Sequence, residues 1–332
     1  MDADPVLADA ANAAFVAAVV VYALAMFGYA VEYAFGRRAQ SAPAAEKELV
    51  AVGARSDDAP ADAPEAEAPE APAVTPRQAL VAGKFGFVAM LLGLAGHAAS
   101  LALRAASVGR WPWGNMFEFI VAVSLVGVIA WTVIVVRGAA ARRLGVFTML
   151  ATVLLLGAAT RVYTEAGPLV PALDSYWIAI HVLAAILASG LFLVGFVAAV
   201  LHLIRRRHDQ IVDAGGPLRF PFTIGPKLPL AEALERLTWR MHVLAFPLWT
   251  FGVIAGAIWA REAWSRYWGW DPKEVWSFVA WVVYAAYLHS RATGASGRKW
   301  APWIAVLGWI VMLFNLFGVN LFIQGLHSYS GV

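Results

Sequence analysis

The sequence predicts an all-α, polytopic membrane bundle of about eight transmembrane helices with both termini outside, and three observations carry that prediction. Hydrophobic residues make up 61% of the 332 and charged residues 14%, against about a quarter charged in an ordinary soluble domain. The apolar residues gather in eight runs, each near the ~20 residues that a helix needs to cross a bilayer. Lys and Arg then divide 19 to six between the two sets of connecting segments, a strong positive-inside bias.

The first run, 11–35, is preceded by Asp2, Asp4 and Asp9 instead of a basic leader, so it reads as a retained helix and not a cleaved signal. Residues 1–38 form this N-terminal transmembrane unit. Residues 39–79 are rich in Ala, Pro, Glu and Asp with almost no large apolar side chain. Such a segment buries too little surface to offset the entropy of ordering, which predicts a disordered acidic linker on the cytoplasmic side. Residues 80–332 form the main transmembrane domain, with helices at 81–103, 116–136, 144–162, 177–204, 243–260, 276–292 and 302–324.

The outer loop Gly109–Phe119 holds Trp111 and Trp113, which suit a membrane interface, and its Pro and Gly turn the chain back. Glu118, just inside the third helix, has two readings. It is either a functional carboxylate within the membrane or a residue facing the outer headgroups. The inner insert 205–240 opens with Arg205, Arg206 and Arg207, which read as a topology anchor. It ends with Leu230, Leu234 and Leu237 at helical spacing, predicting a short amphipathic helix lying on the inner surface.

The stretch from Trp259 to Trp276 differs from everything else in the chain. It sets Trp259, Trp264, Tyr267, Trp268, Trp270 and Trp276 among Arg261, Glu262, Arg266, Asp271, Lys273 and Glu274. The charge bias places it outside, as an aromatic platform for a large flat ligand. Seven histidines then divide by depth. His181 lies about a turn into the fifth helix and His327 follows the eighth, both on the outer side with the tryptophans. Two neutral imidazoles beside a sheet of indoles are what a bis-His haem iron requires, with Arg261, Arg266 and Lys273 available for propionates. His289 is thirteen residues from Trp276, roughly 20 Å along a helix, and cannot share that iron. It is either an ordinary interfacial residue or half of a deeper site, and only His202 and His242 lie at comparable depth in this chain. The chain has no cysteine, so any thiol chemistry belongs to a partner. Nothing reads as a nucleic-acid-binding segment.

The run WSRYWGWDPKEVWSFVAWVVYAAYLHSR resembles the WWD signature of haem-handling proteins. Together with the HV at His181 and GVNLFIQGLHSY around His327, it is similar to the CcsA/ResC type of cytochrome c biogenesis protein, named CcsB in some lineages, over about residues 80–332. The resemblance implies that His181 and His327 are the axial ligands of an external haem b, held on Trp264, Tyr267, Trp268, Trp270, Asp271 and Trp276. It implies that His289 ligates a haem within the membrane, its companion coming from a ResB-type partner. It also implies a System II holocytochrome c synthase (haem lyase) in the plasma membrane. Haem would be carried across and joined to the CxxCH thiols of apocytochrome c, with a thiol-reducing protein in attendance.

Two positions depart from the pattern. Arg110 follows Gly109 where many relatives have a His, and Asp174 stands where a neutral amide is expected. No residue of the chain must act covalently; its expected contribution is to position the haem edge toward the thiols. Asp271 either touches haem or caps the helix starting near Lys273. A stable b-type electron carrier and a transporter of another substrate are the alternatives, told apart by permanent haem and by haem-free transport.

Overall fold

The computed structural model describes residues 3–36, 74–169, 173 and 175–327. Most of the predicted linker, and Asp174, lie outside these residues. What is described is helical throughout: α1 (Pro5–Phe35), α2 (Pro76–Val108), α3 (Met116–Arg137), α4 (Gly145–Ala159), α5 (Tyr176–Asp213), α6 (Ala231–Trp264), α7 (Pro272–Ala292), α8 (Gly294–Leu313) and the short α9 (Val319–Phe322). Seven segments are long and apolar enough to cross a membrane. The eighth expected span, α7, is a helix of 21 residues, about 31 Å at 1.5 Å per residue, and its tryptophans, tyrosines and terminal charges keep its hydropathy below that of the others.

Local sequence explains the ends. Thr75 and Gln78 form a capping box with Pro76 in the first turn, so α2 begins inside the segment read as linker. Asn115 accepts the Glu118 N–H and caps α3. The bundle is built from the tight pairs α1–α2, α5–α6 and α7–α8, with α3 laid on α5. In the first pair Gly28 and Gly86 face each other so closely that a Cβ on Gly28 would lie 2.7 Å from the Ala82 carbonyl. Small residues let the two backbones meet where lipid supplies no hydrophobic drive between helices.

Buried polar groups tie the N-terminal helix to the rest. Tyr22 on α1 meets His97 on α2 at 3.2 Å, and the other ring nitrogen of His97 reaches the Val121 carbonyl on α3 at 2.9 Å. At the other end Arg142 grips Glu32 through two bonds of 3.0 and 2.6 Å, with Glu32 almost fully buried.

The stretch predicted to lie on the inner surface as a separate amphipathic helix instead forms the first turns of α6. Leu234, Thr238 and Met241 turn into the core while Leu230 stays exposed. The reason is that α5 and α6, 38 and 34 residues long, run well beyond the ~30 Å hydrocarbon layer and pack on each other past it. Arg205 joins that packing: it pairs with Asp209 at 2.9 Å and donates to the carbonyls of Gly225 and Leu228.

Removing one partner of a buried ion pair leaves an uncompensated charge, which costs about 3–5 kcal/mol. Glu32→Ala is therefore expected to lower the thermal unfolding midpoint in detergent sharply, and Glu32→Ala with Arg142→Met to recover most of it. Equal loss in both variants would show that the pair contributes no such coupling.

Candidate functional site

Among the described residues, one cleft collects half of the predicted site. It encloses about 1340 Å³ of atom-free space, counted to its open mouth, and His181, His327, Trp264, Tyr267, Trp268 and Lys273 all line it. It lies between α5, α6, the first turn of α7, the end of α8 and the segment after α9.

His181 stands in the second turn of α5. Its Nδ1 is 2.7 Å from the Gly252 carbonyl on α6; a carbonyl only accepts, so Nδ1 carries the proton and the lone pair is on Nε2. The ring fits because α6 has glycine at 252 and 256. A Cβ on Gly256 would lie 2.6 Å from His181 Nδ1. The indole of Trp259, one turn further along α6, lies parallel to the imidazole at 6.4 Å.

His327 arrives from the segment after α9. Its Nδ1 is 2.7 Å from Asp271 Oδ2, again leaving the lone pair of the neutral ring on Nε2. Trp259 and Trp264 pack around it at 5.7 and 5.1 Å, so Trp259 touches both imidazoles. Among the described residues no cluster of three or more metal-ligating side chains occurs. Two imidazoles with fixed Nδ1 protons and indole walls suit a metal whose remaining ligands come with it, as in a porphyrin.

Asp271 is buried and does two things at once. It forms a capping box with Glu274 at the start of α7, with Pro272 in the first turn. It also accepts the Leu326 N–H at 2.6 Å and the His327 ring. Capping was one of the two readings of this carboxylate; orienting His327 is a role that sequence did not suggest. Burial alone would raise its carboxyl pKa, but the bond from His327 and the N–H groups of Leu326 and Lys273 outweigh it and hold the carboxyl below its ordinary value.

Trp270, beside Asp271, has φ +57°, a conformation rare for a bulky residue. Glu274 Oε2 holds it there by accepting the N–H on either side, from Gly269 at 2.8 Å and Asp271 at 3.0 Å. The indole is thereby turned outward, 71% exposed, and does not line the cleft. Trp276 does not line it either; it is half-buried and its ring lies 4.2 Å from that of Phe314.

The predicted cations are already engaged. Arg261 donates to the Ser265 carbonyl and sits 5.8 Å from the Tyr267 ring, Arg266 packs over Gly269, and Lys273 Nζ donates to the Asn315 carbonyl at 2.7 Å. Of the three, only Lys273 lines the cleft. Glu118 is fully buried and so does not face the headgroups, the second of its two expected settings. It binds Arg104 at 2.7 Å, Arg110 at 2.8 Å and the Gly114 N–H at 2.7 Å, and so fixes the loop whose Trp113 and Gly114 form part of the cleft wall.

His289 is apart from this group, exposed near the other end of α7. Phe278, Val282 and Ala286 share its exposed face at helical spacing. His202 and His242, at similar depth, turn inward: each Nδ1 meets a backbone carbonyl, of Ala231 at 2.8 Å and Thr238 at 2.8 Å. Sequence reasoning counted Trp259 in the aromatic stretch without naming it among the residues that hold the ligand, and it missed Gly252 and Gly256. The readable signal was the G-x-x-x-G spacing of the two glycines, which marks close helix approach.

Gly256→Ala forces a methyl group onto His181. Overpacking of this kind costs typically about 1–3 kcal/mol, expected as a lower unfolding midpoint; Gly157→Ala, where nothing lies within 4 Å, is the control that should not move. The Asp271 contribution has a definite sign in pH. Its folded value is depressed, so the stabilisation is present above the ordinary carboxylate value of ~3.9 and is lost as pH falls through the lower folded value. Acid unfolding of Asp271→Asn should accordingly lack the steep limb below that range.

Comparison with known proteins agrees with this geometry. A family model described as "Cytochrome C assembly protein" matches residues 113–327. The cytochrome c biogenesis protein CcsA of Gloeobacter violaceus is 32% identical over 311 residues, covering 75% of this chain and 90% of that protein. That of a Synechococcus strain is 34% identical over 296 residues, 72% of this chain and 85% of its own length. The Guillardia theta protein of the same name is 40% identical over 174 residues, 50% of this chain and 58% of that protein. A match of this extent, over the residues that build the cleft, places the chain in the cytochrome c assembly protein family.

Proposed function

We propose that this chain holds haem b in the outer cleft between His181 and His327 and presents it for covalent attachment to apocytochrome c. It would act with a ResB-type partner as a holocytochrome c synthase of the System II kind, in the plasma membrane, with the tryptophan loop on the extracytoplasmic side. One observation carries the reading: two histidines from separate parts of the chain, one on α5 and one after α9, enter one indole-lined cleft, each with Nδ1 fixed by a hydrogen bond of 2.7 Å. That arrangement directs Nε2 lone pairs to an incoming iron while the α5–α6 and α7 scaffolds keep the rings in place.

The residues divide the work. His181, on a long helix and backed by a neutral carbonyl, and His327, backed by a carboxylate, would be the axial ligands. Trp264, Tyr267 and Trp268 would cover the macrocycle. Trp270 and Trp276 take supporting places, one outward at the loop tip and one against Phe314. Lys273 is the cation nearest a propionate; Arg261 and Arg266 would have to leave their present contacts to serve. Haem supplies the vinyl groups and apocytochrome c the CxxCH thiols, kept reduced by a thiol-reducing protein. The contribution of this chain is orientation, which removes entropy from the barrier. His289 would ligate a membrane haem from the exposed face of α7, and the surface position of its ring fits a second ligand from the ResB-type partner.

His181→Gly and His327→Gly, each co-expressed with the partner and an apocytochrome, are expected to abolish haem-stained cytochrome c, with imidazole in the medium restoring part of it. Normal maturation in both variants would overturn the reading. Because the chain has no cysteine, Ser265→Cys tests orientation directly: a membrane-impermeant maleimide should label it in intact cells.

A further inference from the structure

The cleft has a second lining that the haem reading leaves unexplained. Three of its residues carry buried oxygen atoms with no hydrogen-bond partner in the protein: Glu274 Oε1, Asn315 Oδ1 and Ser189 Oγ. Asn315 and Ser189 are 7% and 3% exposed. Buried polar groups are paired in the great majority of cases, so unpaired ones at a cleft point to a ligand.

The orientation of these groups is set by their neighbours. Asn315 Nδ2 donates to Ser277 Oγ at 3.2 Å, which assigns Oδ1 as the unpaired atom. Its backbone carbonyl takes Lys273 Nζ. Glu274 spends only one oxygen on the loop: Oε2 accepts from Gly269 and Asp271, and Oε1 is left over. Asn315 lies in a π-helical turn, Phe314–Gly318, a distortion that recurs at functional sites.

A carboxylate and an amide oxygen only accept. Haem cannot satisfy them, because its ionised propionates also only accept and its pyrrole nitrogens are bound to iron. The matching ligand carries donors. Resting on the attachment reading above, we propose that the Glu274–Asn315 side of the cleft is the docking wall for the thiol-bearing peptide. Its acceptors take the backbone N–H and thiol S–H groups of a Cys-x-x-Cys-His segment, while the histidine and indole lining takes the haem. Ser189, eight residues below His181 on α5 and so about 12 Å further in, completes the row at its deep end.

Glu274→Gln tests this cleanly. The Gln oxygen can keep the bonds to Gly269 and Asp271, while its NH₂ replaces the unpaired acceptor by a donor. The full chain, purified in detergent with its haem, is titrated with a fluorescein-labelled Cys-x-x-Cys-His peptide and followed by anisotropy. Haem content and the Soret band are recorded on the same samples. The expected result is a loss of peptide affinity of about tenfold, the scale of one charge-assisted hydrogen bond, with haem unchanged. Asn315→Leu should weaken the peptide in the same way and stands in if Glu274→Gln does not assemble. Unchanged peptide affinity in both variants overturns the proposal and assigns the acceptors to solvent. Loss of haem with peptide binding intact overturns it in favour of a haem contact. If the unaltered protein holds haem but no peptide, this proposal fails and haem ligation stands; if it holds no haem, the ligation reading itself fails.

Discussion

Much of the cleft hangs on the Asp271 carboxylate. Within one side chain it starts α7, accepts the Leu326 N–H of the C-terminal segment, and fixes the His327 ring. These three duties join parts of the sequence 56 residues apart. Without that carboxylate, α7 would lose its cap and His327 would lose the partner that sets its tautomer. The capping box then extends the same control to the loop, since Glu274 pins both sides of Trp270.

Charge in this protein is handled by enclosure. Glu32 with Arg142, and Glu118 with Arg104 and Arg110, put full charges deep in the bundle, where an unpaired ion would be costly. Each cluster joins separate elements. The first fastens α1 to the segment before α4, 110 residues away, and the second holds the loop between α2 and α3 against both helices. The cleft thus rests on walls that polar contacts make specific and apolar packing makes stable.

The helices, and the convergence of His181 and His327 on one cleft, were legible because hydropathy and depth along a helix are one-dimensional quantities. Less was legible where the answer depends on which side of a helix meets a neighbour. Trp270 and Trp276 belong to the same aromatic run as Trp264 and Trp268, yet a left-handed backbone at 270 and a contact with Phe314 at 276 turn them away from the cleft. Arg261 and Arg266 have the right charge on the right segment, but nearby carbonyls and rings engage them first. The stretch 231–240 has the amphipathic pattern of a surface helix, and only the length of its neighbour α5 makes it part of α6. The two glycines beside His181 were legible in principle, through spacing, once the helix they face was known.

The π-helical turn at Phe314–Gly318 has a consequence for how the chain tolerates change. One extra residue is accommodated there without breaking the helix, so the turn absorbs most of the ~100° of rotation that a residue adds to an ordinary α-helix. Deleting a residue within it would restore regular α-helix and leave α9 close to its present phase. The regular part of α8 has no such slack. A deletion there would swing α9 and the chain beyond it around the axis, and His327 would leave Asp271 although neither residue had been touched.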